Sequence, residues 1–265
     1  GFDAVKVFEI SDTTYFNAVI KACKDAWLPC FGHVGRGLPL QKALRSMRSI
    51  EHLGGYLDAE GRPDTTLWAD VSATRDAGVW NCPTQFWCVV TMGHDLSRLE
   101  HAEGMDLMPE ATRASWIAKK KADIERSVAS ATRDSLELAG RREVISALDE
   151  VGAGLLIGGD APGMFRVPGY SLMEEMRCFQ EAGLTNAAIL AAGTRNAAAC
   201  LNRQDDIGTV EVGKRADLVL LDANPLSNLE NLHRRAGVML RGAWYTSDEL
   251  NAVVGKLAAL LQPSP

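Results

Sequence analysis

The six cysteines of this 265-residue chain form no Cys-x-x-Cys pair and no tight framework. Cys23, Cys30, Cys82, Cys88, Cys178 and Cys200 therefore read as free, mostly buried thiols in a reducing compartment. No apolar run approaches the roughly 20 residues of a membrane span. Basic charge is not in excess: 28 Lys plus Arg stand against 34 Asp plus Glu, a net charge of −6. That balance argues against a general binder of nucleic acid or anionic membrane, which needs a basic footprint. There is no Gly-x-Gly-x-x-Gly and no Walker-type phosphate loop. Internal repeats and low-complexity segments are absent too. The chain begins Gly1-Phe2-Asp3-Ala4, without an initiator Met or a charged-then-apolar leader, and enters a strand-like run almost at once. Gly1 is thus expected to be a truncation point. The cytoplasm is the expected location, with an upstream signal segment left open. Apolar residues at 46% and charged residues at 23% are ordinary soluble-globular usage.

Short apolar runs alternate with helical stretches up to Asp160. The runs are Ala4–Phe8, Pro29–Val34, Ser49–Leu53, Gly78–Pro83 and Gly154–Gly159. Thr13–Trp27 reads as a helix with Tyr15, Val19 and Cys23 on one stripe, Phe16 and Ile20 beside it, and Ser11 or Asp12 as cap. A long helical region from about Glu110 to Asp149 is expected to break at Gly140. Such alternation implies parallel strands with crossover helices, as a closed barrel or an open doubly wound sheet. Two features favour the barrel. No phosphate loop follows a strand, and Lys6, His33, His52 and Asp160 fall at the carboxyl ends of successive runs, where a β/α barrel keeps its site. Only five runs precede Asp160, fewer than the eight strands of a full barrel.

After Asp160 the texture changes. Ser171-x-x-Glu174 has the form of a capping box, and Thr185 can cap the next helix. Gly208–Val210, Ala216–Asp222 and Gly237–Tyr245 read as short β stretches, and Ser247–Leu261 as a last helix before a Pro-Ser-Pro tail. Residues 1–203 are expected to form the barrel part, and 204–265 a small β-domain with the final helix.

Imidazole and carboxylate groups gathered from separate strand ends suit an open catalytic site for Zn²⁺, Mn²⁺ or Fe²⁺. A metal there lowers the pKa of its water to about 7, and Asp160 can ligate and also accept the proton. A desolvated lysine has a lowered pKa, so its neutral amine can be modified, and a carbamylated Lys6 would be an anionic bridge. Taken singly, each residue has a plainer reading: a hydrogen-bonded structural histidine, a turn-capping Asp160, a salt-bridged Lys6. His94, His101 and His233 read as solvated surface residues.

Val5-Lys6-Val7, Gly32-His33-Val34, Ser49-Ile50-Glu51-His52, Gly158-Gly159-Asp160-Ala161-Pro162 and the long string Gly208–Val219 occur in that order. Together with Leu221–Leu226 and Val238–Gly242 they resemble the amidohydrolase superfamily, in particular its imidazolonepropionase-like and Xaa-Pro-dipeptidase-like branch. The resemblance implies an α/β fold: here part of a (β/α)8 TIM-type barrel, about the last five strands, with C-terminal strands of a flanking β-sandwich. It implies Lys6 as a carbamylated bridging ligand, His33 and His52 as metal ligands, and Asp160 as ligand and general base. The expected cofactor is a divalent metal, zinc first, one or two ions in the complete protein. Its implied reaction is hydrolysis of an amide, peptide or cyclic amide by metal-activated hydroxide. A deaminase is a weaker variant, because the Val-Lys-Val context argues against it. Tyr56 and Arg166 are candidate substrate contacts. Expected partners are a small molecule or short peptide and, for assembly, a second copy of the chain.

Two departures stand out. Gly159 replaces the family's commonest Thr before the aspartate. The family's His-x-His pair is absent, since none of the five histidines has that spacing. The alternative reading is therefore a non-catalytic fragment or degenerate homologue. On the sequence alone, the isolated 265-residue chain is expected to be poorly soluble or inactive, which a soluble-yield and turnover assay checks.

Overall fold

The computed structural model describes residues 1–261. The Pro263-Ser264-Pro265 tail lies outside the described residues. Four of the five apolar runs become parallel strands: β1 (Val5–Val7), β2 (Cys30–Gly32), β3 (Ser49–Glu51) and β4 (Trp80–Cys82). Their order in the sheet is their order in the chain. Val5 faces Cys30, Gly32 faces Ile50, and Glu51 faces Cys82. The fifth run pairs at one point, where Leu155 bridges Asn81 in parallel. Asn81 N–H donates to the Gly154 carbonyl and Leu156 N–H to the Asn81 carbonyl, both at 2.8 Å. A doubly wound sheet would reverse this order at a switch point. Unreversed parallel order with helical crossovers is the TIM-barrel type of α/β fold.

The crossovers are α1 (Thr13–Asp25), α2 (Leu40–Leu44) and α3 (Leu67–Ala77). Between β4 and Leu155 lie α4 (Gln85–Met92), α5 (Leu96–Glu100), α6 (Glu110–Arg126) and α7 (Ala131–Glu150). Asp12 caps α1, its Oδ1 accepting from Thr14 N–H at 2.7 Å and Tyr15 N–H at 2.9 Å. The buried stripe of α1 is Phe16, Ile20 and Cys23, while Tyr15 is 70% exposed. The face is thus turned by one residue from the expected stripe, because docking on the sheet selects among the apolar positions.

Gly140 does not break a helix. The break falls at Ser127–Ser130, and Gly140 sits buried inside α7. A Cβ at Gly140 would stand 2.6 Å from the Gly61 carbonyl oxygen and 2.9 Å from Pro63 Cδ. The glycine is there so that the β3–α3 loop can press against α7.

Beyond Leu155 come α8 (Ser171–Glu181), α9 (Asn186–Ala192) and α10 (Arg195–Cys200). Thr185 caps α9 as expected, accepting from Ala188 N–H at 3.2 Å. Ser171–Glu174 is not a capping box: Ser171 is already helical and its side chain makes no cap bond. Glu174 instead accepts from Glu103 N–H at 3.2 Å and pairs with Arg177 at 3.0 Å. The last layer is an antiparallel sheet of β5 (Leu218–Leu221), β6 (Arg235–Leu240) and β7 (Ala243–Thr246), followed by α11 (Ser247–Leu261). Gly208–Val210 forms no strand; Thr209 hydrogen-bonds to Glu211 at 2.6 Å, a local bond that competes with strand pairing.

One core cluster fills the space between the sheet and α1, α3, α7 and α8, around Phe16, Ile50, Val71, Ile145, Leu148 and Phe179. A second gathers Phe86, Leu99 and Met105 with Phe165 and Val167, which anchors the loop after Asp160. All six cysteines are free, and burial raises the Cys88 thiol to about 12 and the Cys200 thiol to about 11. Among the described residues, no helix is long and apolar enough to cross a membrane.

Helix propensity alone would favour Gly140→Ala by about 1 kcal/mol. Overpacking against the Gly61 carbonyl costs about 1–3 kcal/mol and wins. The variant is expected to lower the urea midpoint with an unchanged slope; a raised midpoint would refute the close-approach account.

Candidate metal centre

The three strand ends that meet at the top of the sheet carry the polar residues. Parallel pairing continues past the strands: His33 N–H donates to the Val7 carbonyl and His52 N–H to the Cys82 carbonyl, both at 3.0 Å. Gly32, just before His33, has φ +132° and lies so close to β1 that a Cβ would strike the Val7 oxygen at 2.0 Å. Only glycine lets β2 deliver His33 there. Glu51 and His52 are sequence neighbours, which regular strand geometry sends to opposite faces. His52 adopts φ +60°, and both side chains line one cavity of about 410 Å³ with Lys6, His33, Trp87 and Asp160.

The ligand atoms of His33, Glu51 and His52 lie within 4.8 Å of one another. The two imidazoles meet edge to face with centroids 4.6 Å apart, and Trp87 covers His52 at 5.1 Å. His33 Nδ1 sits 3.5 Å from Glu9 Oε1, and its Nε2 is buried without a hydrogen-bond partner. Leaving such a nitrogen unmatched costs about 1–3 kcal/mol, a cost that a bound ion removes. Burial, then the neighbouring His33, push the His52 pKa from 6.5 down to about 4, so its ring is neutral near pH 7. Two imidazoles and a carboxylate are a donor set that Zn²⁺ and similar divalent ions accept. The residues present fit such an ion.

The structure brings some of the expected residues together and not others. His33 and His52 come together. Lys6 enters through an ion pair, with Nζ 2.5 Å from Glu51 Oε2. Asp160 lines the same cavity from a left-handed backbone, φ +46°, but is not within the tight ligand group. Its Oδ2 accepts from Arg166 Nη1 at 2.9 Å, and the same nitrogen reaches the Asp160 carbonyl. Arg166 therefore holds Asp160 rather than facing an open subsite. Tyr56 corrects the expectation outright. It is 2% exposed, and its hydroxyl bonds to Thr74 at 2.8 Å, so it packs beneath the cavity and does not line it.

Glu51 is the residue that sequence reasoning missed. It stands beside His52, yet period-two alternation assigns it to the far face. Thr84 was missed as well. Its Oγ1 lies 2.5 Å from His52 Nδ1. Behind both, the buried Arg141 donates to the His52 carbonyl, the Pro83 carbonyl and Gln85 Oε1, each at 2.9 Å. Glu175 accepts from Gln85 N–H at 2.8 Å and Phe86 N–H at 2.7 Å. Its burial raises the carboxyl to about 7, against these bonds.

The pattern of the amidohydrolase family matches residues 92–245, more than half of the chain. The chain belongs to the amidohydrolase family. An imidazolonepropionase of Geobacillus sp. (strain WCH70) is 42% identical over 85 residues, covering 32% of this chain and 19% of that protein. A 5'-deoxyadenosine deaminase of Methanobrevibacter smithii is 41% identical over 54 residues, 20% of this chain and 12% of that one. Among solved structures, a bottromycin amidohydrolase superposes with a TM-score of 0.77 at 27% identity, over 98% of this chain and 59% of that one. A Xaa-Pro dipeptidase superposes at 0.62 with 20% identity, over 93% and 55%, a likeness of fold. This amidohydrolase thus spans little more than half the length of those two structures.

The His52 shift has a sign that unfolding can read. Between pH 6.5 and about 4 the unfolded chain binds a proton that folded His52 refuses. The metal-free amidohydrolase is therefore expected to lose about 1–2 kcal/mol through that window, allowing for screening at a partly exposed ring, with no further loss from this group below it. Urea unfolding across pH checks this, with a flatter profile expected for His52→Gln.

Proposed function

We propose that this chain carries a metal centre of a hydrolase that cleaves C–N bonds in an amide, peptide or cyclic amide. The carrying observation is the convergence of His33, His52 and Glu51 ligand atoms within 4.8 Å, with His33 Nε2 buried and unmatched. Zinc is the proposed ion, which when bound supplies Lewis acidity and a water of pKa about 7. His33 and His52 offer ring nitrogens from adjacent strand ends. In this reading Lys6 would leave its ion pair with Glu51, lose its ammonium proton to solvent, and form an Nζ–C bond to CO₂ with release of a second proton to solvent, giving a carbamate that could serve as an anionic ligand. Asp160 accepts the proton of the attacking water and delivers it to the leaving nitrogen. Arg166 orients that carboxylate from 2.9 Å.

The proposed organisation is a barrel portion over residues 1–203 and part of a small sandwich over 204–265. The exposed apolar residues of β5–β7, Val219, Leu220, Leu240, Trp244 and Tyr245, support it, since a sandwich covers such a face with a second sheet. A small-molecule or short-peptide substrate is proposed, and assembly with a second copy of the chain.

A second reading, a non-catalytic homologue, is favoured by one observation: Asp160 Oδ2 is already taken by Arg166. Metal content and turnover separate the two. After chelator treatment and exposure to zinc, the chain is expected to retain at least one equivalent, and His33→Ala to retain less than a tenth of that under the same dialysis. With an amide substrate panel, Asp160→Asn is expected to keep the metal and lose on the order of 10²–10⁴-fold in kcat. Retained turnover in Asp160→Asn would remove Asp160 from the chemistry; no retained zinc in the wild-type chain would favour the non-catalytic reading.

A further inference from the structure

Thr84 is a β-branched residue in the left-handed region, with φ +49° and ψ +46°, and is 4% exposed. Backbone of this kind is sterically costly for a β-branched residue and persists where the surroundings impose it. Here they do. The Arg141 guanidinium fastens the Pro83 carbonyl, one residue before Thr84, and the His52 carbonyl, both at 2.9 Å. Glu175 fastens the next two amides, of Gln85 and Phe86. The strained residue and the histidine are thus tied to one buried guanidinium.

What the strain achieves is a hydroxyl 2.5 Å from His52 Nδ1. A threonine hydroxyl has one proton and two lone pairs. Thr84 donates its proton to the Pro83 carbonyl at 2.7 Å. That carbonyl then accepts from Thr84 and Arg141 together, filling both of its lone pairs. The Thr84 oxygen is left only as an acceptor toward His52. An acceptor at Nδ1 selects the tautomer with its proton on Nδ1, which puts the ligand lone pair on Nε2.

We infer that Thr84 is a positioning residue that sets the His52 tautomer, so that Nε2 is the atom presented to a metal. The metal half of this statement rests on the function proposed above; the tautomer half does not. Metal-ligating histidines generally have a partner at the other ring nitrogen, and losing it costs on the order of 10–100-fold in metal affinity.

The test uses the full chain labelled with ¹⁵N-histidine, metal-free, with His52→Gln assigning the ring signals. Wild type is expected to show His52 protonated at Nδ1 and bare at Nε2 near neutral pH. Thr84→Val keeps the β-branched shape, and so the backbone strain, and removes only the hydroxyl. It is expected to lose the single tautomer and to bind Zn²⁺ on the order of 10–100-fold more weakly in a chelator competition, with unchanged far-UV circular dichroism. Thr84→Ser is expected to restore both. An Nε2-protonated His52 in wild type, or a Thr84→Val chain with the wild-type tautomer and affinity, overturns the inference. A wild-type chain that takes up no zinc defeats the hydrolase reading instead, and the ring signals of the metal-free protein still decide the role of Thr84.

Discussion

The buried guanidinium of Arg141 joins parts of the molecule that the chain keeps far apart. It reaches from α7 to the His52 carbonyl at the end of β3 and to the Pro83 carbonyl after β4. Both carbonyls have left the strand ladder; without Arg141 the His52 carbonyl would lack a donor, at about 1–3 kcal/mol, and the Pro83 carbonyl would keep only the Thr84 hydroxyl. The same group bonds Gln85 at the start of α4. The left-handed turns at His52 and Thr84 are held open between these contacts. The departures from regular strand geometry at His52 and Thr84 lean on this one side chain.

Charge in the cavity is arranged in pairs. Lys6 meets Glu51, and Arg166 meets Asp160. Lys6 is half exposed, so its ion pair adds little to stability. The pairs matter more as a description of the resting site, where Glu51 and Asp160 each already have a cation beside them. His33 has the Glu9 carboxylate 3.5 Å from its Nδ1, and the burial that lowers the His52 pKa keeps that ring neutral for a ligand role.

The strands were legible because a parallel strand buried on both faces is a continuous apolar run. β1 to β4 and the Leu155 bridge all fall within the expected runs. Asp12 and Thr185 were legible as caps, because a cap depends on a side chain and the amides two or three residues on. The errors share a cause. Gly140, Ser171 and the stripe of α1 have local signatures that packing overrode: a loop pressed on α7, a buried helix start, a helix turned on the sheet. Glu51 was hidden because strand alternation is a local rule, and φ +60° at His52 suspends it.

Sequence alone determined the alternation of strands and helices, the placing of His33 and His52 directly after β2 and β3, and the family resemblance. Those properties depend on residue type and spacing, and they survive without any knowledge of neighbours. Tertiary structure decided which side chains share the cavity. It brought in Glu51, placed Thr84 against His52, turned Arg166 onto Asp160 and buried Tyr56 out of reach. Each of these depends on a contact or a backbone angle set by residues distant in sequence. His52 and Arg141 stand 89 positions apart, and nothing local to either marks the bond that joins them.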